Sequence, residues 1–273
     1  MSEQVAAPTS AAELACVDGR TMPAEEATIP ATDEGLLRGD GAFEVIRVYD
    51  GRPFALADHL DRIERSGANL RLDEVPRADL EAEIPRLLEE RGGAEFDGCL
   101  RVVLTRGGRR LLFTEPLPPM AERARLGVVE YAPTRVLDGV KSLSYGANML
   151  AGRLARERGY DEALLVTPHG RVLEAPTSSI FWADVDGVLC TPPLSEHILA
   201  SITRARVMEV VDVAERACTM DDLRGATEAF LASTTREVQS ISVIEDIELP
   251  EGERTREAAT RLRARIEDEL GAP

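Results

Sequence analysis

The apolar positions of this chain change period several times, and each change marks an element. Ala42 to Tyr49 is rich in β-branched and aromatic residues and is followed by Asp50-Gly51, which predicts a strand closing into a hairpin turn. Leu56, Leu60, Ile63 and Leu70 then recur at helical spacing, with Asp58, Asp61, Glu64 and Arg65 between them, so a helix with one buried stripe is expected there. A second helix is expected over Arg77 to Arg91, stopped by Gly92-Gly93. Leu100–Thr105 and Arg125–Tyr131 return to a strand pattern, and from Leu14 onward short strands and turns are expected. Residues 1–12 are small and polar and read as loose.

Residues 132–139 interrupt the pattern and read as a connector. Beyond them an amphipathic helix is expected over Ala147–Arg158, ended by Gly159. Short strands follow at Ala163–Thr167, Arg171–Glu174, Ile180–Ala183 and Val188–Thr191, separated by turns at Pro168-His169-Gly170 and Asp186-Gly187. Ser201 is a good N-cap for a helix running to about Ala214. Glu228–Ala232 reads as a strand and Glu253–Leu270 as a charged terminal helix. The expected organisation is a small α+β unit over 1–131, the connector over 132–139 and a larger unit over 140–273, without internal repeats.

Composition narrows the field. The 273 residues suffice for two modest domains or one large one, with enough interior to house a cofactor. A net charge of −17 repels phosphate backbones and anionic lipid, so neither nucleic acid nor a membrane surface is an expected partner. Cys16, Cys99, Cys190 and Cys218 form no CxxC pair, and His59, His169 and His197 form no HExxH or HxH arrangement. Reduced thiols and no metal site are therefore expected. No apolar run approaches a membrane span, and the first fifteen residues lack a basic start and an apolar core. The default expectation is a cytoplasmic protein.

The sharpest chemical signal is a count of residue types. Lysine and arginine together number 32, and all but Lys141 are arginine. Arginine stays charged and is a poor nucleophile, whereas a lysine amine can lose its proton and form a Schiff base with an aldehyde. Lys141 is thus a candidate for amine chemistry with pyridoxal phosphate, or else a surface lysine left over in an arginine-biased chain. A pyridoxal site also needs a carboxylate for the ring nitrogen, for which Glu174 is the candidate. Phosphate needs donors of the kind found at helix starts and hydroxyl-bearing turns. Ser178-Ser179, Ser201-Ile202-Thr203 and Ser233-Thr234-Thr235 are such stretches, though each alone also fits an ordinary turn or cap.

Taken together and in order, these segments resemble the class IV aminotransferases, the fold-type IV pyridoxal phosphate enzymes. The resemblance runs through Arg38–Val45, His59–Ile63, Lys141–Leu143, Gly159–Ala163, Leu173–Phe181, Ser201–Arg204 and Ser233–Val238. It implies an α+β fold of two domains, a small N-terminal one and a larger C-terminal one with a barrel-like sheet, with the cofactor between them in a homodimer. It implies that Lys141 forms the Schiff base and then moves the substrate Cα proton. It implies that Glu174 faces the ring nitrogen and that Arg62, Ile202, Thr203, Ser233 and Thr234 hold the phosphate. Ser178 and Ser179 would line the ring, and His59 would be a packed supporting side chain.

Departures from the family pattern bear on substrate. Ser201 stands where the family usually has glycine, and Tyr145 is off the usual spacing for the residue that reaches the cofactor's phenolic oxygen. The segment Thr105–Leu112 keeps arginines but lacks the histidine that accompanies them in D-amino acid enzymes. One of Arg106, Arg109 and Arg110 is the expected clamp for the substrate carboxylate, the alternative being that all three solvate a turn. The activity implied is transfer of an amino group from an amino acid to a 2-oxo acid, with D-amino acids favoured and R-amines possible. Aminodeoxychorismate lyase and branched-chain L-amino acid aminotransferase are the alternatives.

Overall fold

The computed structural model describes residues 13–271, so the loose segment expected over 1–12 lies outside the described residues. Two sheets organise the chain. The smaller has six antiparallel strands in the order Arg20–Pro23, Leu14–Val17, Arg110–Glu115, Gly98–Thr105, Gly41–Tyr49 and Arg52–Pro53. The helices Leu56–Leu70 and Arg77–Arg91 supply Leu60, Ile63, Leu80 and Ile84 to a core that also holds Ile46 and Val102 of the strands. That arrangement follows from the sequence periods, since alternate strand residues and one stripe of each helix meet there.

The larger sheet has ten strands and curls around a second core. Its middle runs Ser179–Ala183, Glu228–Ser233, Glu237–Ile244, Ala124–Glu130 and Glu162–Val166. Ala124–Glu130 pairs in parallel with both Glu237–Ile244 and Glu162–Val166. Trp182 packs on one face, while Phe181 and Phe230 stack with their centroids 4.8 Å apart on the other, under the terminal helix Glu253–Leu270.

Most expected elements stand where the sequence put them, and three of the differences concern the larger sheet. The strand expected at Arg125–Tyr131 as part of the first half belongs to the larger sheet, so the passage between sheets falls over 116–123, ahead of the expected connector. The helix after Ser201 ends at Val210 because Val211 adopts extended backbone and Ala214–Glu215 joins the sheet. The strand Glu237–Ile244 had no expectation; Gln239, Ser240 and Ser242 interrupt its apolar alternation, yet it is central and paired on both sides. Among the described residues no helix is long and apolar enough to cross a membrane, and no cluster of His, Cys, Asp and Glu is placed to hold a metal. All four cysteines are free and buried.

Candidate active site

The chain reaches Lys141 through a tight turn at Arg135–Leu137 and a left-handed glycine, Gly139, with φ of +74°. It is then fastened to the smaller sheet. Phe43 N donates to Lys141 O at 3.0 Å, Leu143 N donates to Gly41 O at 2.9 Å, and Lys141 N donates to Ser66 Oγ at 3.1 Å. Gly41 is required for this approach: a Cβ there would stand 2.3 Å from Leu104 O and 2.6 Å from Leu143 Cδ1. Lys141 Nζ lies 4.5 Å from the Phe43 ring centroid and 5.7 Å from that of Tyr145. Dense surroundings disfavour its charged form, and the nearby Arg62 guanidinium adds to the effect, which brings the amine down to about 8.

Glu174 arrives from the other sheet, after the short strand Arg171–Val172. Its carboxylate accepts from Leu199 N at 3.1 Å and has no side-chain donor among the described residues. Burial pushes this carboxyl up to about 7, only partly opposed by that backbone bond and by Lys141. Lys141 and Glu174 both face a cavity of about 540 Å³ between the sheets. Ser178, Ser179, Ser233 and Thr234 line it as well. The hydroxyls of Ser178, Ser179 and Ser233 are buried and have no hydrogen-bond partner. Buried polar atoms are rarely left so, and three of them on one cavity wall fit a polyoxygenated ligand.

Arg62 projects into the same cavity from Leu56–Leu70. Its Nε donates to Glu44 Oε1 at 2.7 Å, a terminal nitrogen donates to Glu44 Oε2 at 2.5 Å, and the other terminal nitrogen donates to Ala200 O at 3.2 Å. His59 Nδ1 lies 2.7 Å from Glu44 Oε2, so one carboxylate holds both side chains of the helix. Burial alone would raise the Glu44 carboxyl, but the bonds from Arg62 and His59 outweigh it and hold the group down at about 2. Burial also pushes the imidazole of His59 down, toward its neutral form. Ser201 lines the cavity and caps the helix Ile202–Val210, its hydroxyl accepting from Arg204 N. Ile202 and Thr203 are buried in the first turn behind it.

The three arginines expected to clamp substrate are elsewhere. Arg106 pairs with Asp40 at 2.5 Å and donates to the carbonyls of Leu70 and Arg71. Arg109 pairs with Asp18, and Arg110 grips Glu83 with two bonds. None of them lines the cavity of this chain. They stitch the 105–110 turn to its own sheet and helices. Besides Arg62, the arginines that line the wall are Arg101, paired with Glu115, and Arg236, held by Glu162 and Gln239. Sequence reasoning missed Arg101, Arg236 and Glu44. The signals for Glu44 were an acidic side chain inside a mostly apolar strand and its place in the Arg38–Val45 segment.

Residues 41–244 match the sequence pattern that defines amino-transferase class IV. The chain belongs to that family. As a class IV aminotransferase it is a transaminase that uses pyridoxal phosphate. It is 35% identical over 253 residues to a putative branched-chain-amino-acid aminotransferase of Methanocaldococcus jannaschii, covering 84% of this chain and 87% of that protein. It is 30% identical over 250 residues to the D-alanine aminotransferase of Bacillus licheniformis, with the same two coverages of 84% and 87%. A fold IV transaminase of Curtobacterium pusillum superposes with a TM-score of 0.85 at 29% identity, over 94% of this chain and 99% of that one.

Proposed function

We propose that this aminotransferase moves the amino group of an amino acid with an apolar side chain to a 2-oxo acid, with Lys141 as the amine and base. The observation that carries this reading is the sole lysine of the chain, brought into one cavity with Glu174 and Arg62 and depressed to about 8. When bound, the cofactor supplies an electrophilic carbonyl and an electron sink. Lys141 Nζ supplies the neutral amine and then takes the proton from the substrate Cα and returns it. Glu174 would face the ring nitrogen as its carboxylate partner, since no side chain among the described residues donates to it. Arg62, fixed in direction by Glu44, receives phosphate with its fork. The first turn of Ile202–Val210, with Thr203, offers further donors, and Ser233 and Thr234 complete that end. Ser178, Ser179 and Tyr145 line the same cavity and would border the ring, the Tyr145 hydroxyl donating to Pro176 O.

For the substrate carboxylate we assign Arg101 rather than the three arginines of the turn. It lines the cavity and remains about one-third exposed, whereas Arg236 is enclosed by Glu162 and Gln239. Phe43, Tyr131 and Met149 leave apolar surface for a side chain. D-amino acids such as D-alanine are the first donor reading, supported by the Bacillus relative. Branched-chain L-amino acids are the second, favoured by the Methanocaldococcus relative and the apolar lining. A second copy of the chain is the partner we propose for the exposed Met149, Leu150 and Leu154 of the helix Gly146–Glu157. The deciding experiment mixes holoenzyme with D-alanine, D-glutamate, L-leucine, L-glutamate and an R-amine and follows conversion of the cofactor to its amine form. Conversion by D-alanine supports the first reading and conversion by L-leucine alone the second. Conversion by no donor, together with pyruvate release from aminodeoxychorismate, would replace both with a lyase.

A further inference from the structure

A smaller cavity of about 120 Å³ adjoins the main one and is lined by Asp138, Gly139, Leu194, His197, Ile198 and Ala200. Asp138, Gly139, His197 and Ile198 line both cavities, so the two spaces share a wall. Across that wall His197 Nδ1 lies 2.6 Å from Asp138 Oδ2. The backbone on each side is turned to make this contact. Gly139 has φ of +74°, and His197 itself has φ of +63°, a region that residues other than glycine seldom occupy. The N–H of His197 is bonded to Leu194 O at 3.0 Å, which ends the short turn Leu194–Glu196.

What lies beyond each partner gives the contact its meaning. After Asp138 and Gly139 the chain runs into Val140 and Lys141. After His197 it runs through Leu199, whose N–H bonds the Glu174 carboxylate at 3.1 Å, and Ala200, whose carbonyl accepts from Arg62 at 3.2 Å. Ser201 then caps the helix behind the cavity. A single side-chain pair therefore ties the segment that delivers the lysine to the loop that braces both the ring-nitrogen carboxylate and the phosphate arginine.

We propose that Asp138 and His197 form a latch that retains the cofactor by closing the wall at its ring-nitrogen and phosphate end. The inference rests on the assignment of Glu174 and Arg62 made above. Both are positioning residues, acting through the loop rather than on reacting atoms. With the pair made, the 194–200 loop is pinned to the lysine segment. With it broken, the loop loses its tie to the lysine segment and is held from the other sheet, through the Arg171–Glu196 ion pair and the buried Ile198. The side chains are 28% and 44% exposed, so truncating either leaves no hole in a core and the variants are expected to fold.

The test measures release rather than turnover. Wild type and variants are loaded with pyridoxamine 5′-phosphate, which no covalent bond ties to Lys141, and escape is timed after rapid removal of free cofactor. Asp138→Ala and His197→Ala are each expected to release it about fivefold faster, the scale of one partly exposed side-chain hydrogen bond. The exchange Asp138→His with His197→Asp should restore slow release, since Asp tolerates the left-handed position. Wild-type release from both single variants overturns the latch. So does faster release that the exchange fails to restore. Arg62→Ala separates the two levels of the argument. Unchanged release from that variant overturns the site assignment, whereas faster release from it with none from the latch variants overturns the latch alone.

Discussion

At the scale of single residues, Lys141 is the amine proposed for the chemistry, and its surroundings decide when it can act. Lys141→Arg should fold but show no transamination and no borohydride-reducible cofactor adduct, because a guanidinium stays protonated and does not form the bond. The amine of Lys141 is held down at about 8 by burial and by Arg62, so its neutral fraction grows as pH rises through that value. Cofactor uptake by the cofactor-free protein should therefore accelerate between about pH 7 and 9 and then level off, as read by absorbance in a stopped-flow series. A flat profile would mean that some other step limits uptake. Glu174→Gln keeps the shape of the side chain and removes its charge. Turnover should fall by ~100-fold or more while cofactor remains bound, and near-normal rates would place a different residue at the ring nitrogen.

At the scale of elements, the strand Gly41–Tyr49 works on both faces. Phe43 and Val45 line the cavity, while Glu44 and Ile46 turn toward the helix Leu56–Leu70, as the two-residue period requires. Strand and helix are thus joined by a buried Glu44–Arg62–His59 cluster as well as by apolar packing. Glu44→Ala would leave a guanidinium buried without its carboxylate, and a loss of about 3–5 kcal/mol in denaturant unfolding is expected. The pH sign is fixed by the direction of the shift. Glu44 sits near 2 in the fold against 4.5 for the ordinary group, so its contribution is complete above about 4.5 and disappears as pH falls toward 2. The Ala variant should lack that part of the acid transition.

At the scale of the whole molecule, the site lies between two sheets and opens beside an apolar helix face. Leu150 and Leu154 are exposed on Gly146–Glu157, and Met149 of the same helix reaches the cavity. An apolar stripe of this kind on a chain of net charge −17 fits burial against a second copy more than exposure to water. Replacing Leu150 and Leu154 together by Glu should shift sedimentation from dimer to monomer with the helical signal preserved. A species of wild-type size in that experiment would remove the stripe from the interface.

The sequence by itself determined the local features and the chemistry that needs a particular side chain. Leu56–Leu70, Arg77–Arg91 and Glu253–Leu270 were legible because a helical stripe and its stop signals lie within a few residues of one another. The Ser201 cap was legible for the same reason, and Lys141 because no arginine can replace an amine. Tertiary structure alone decided which charges face the cavity. Arg101 and Arg106 lie close along the chain, yet the first is on a strand that lines the cavity and the second is on a turn drawn off by Asp40 and the helix-end carbonyls of Leu70 and Arg71. It also decided that Ala124–Glu130 joins the larger sheet and that polar Glu237–Ile244 lies at its centre, since strand pairing is a long-range choice. Direction at a given residue depends on what the distant chain presents to it, and no window of neighbouring residues contains that information.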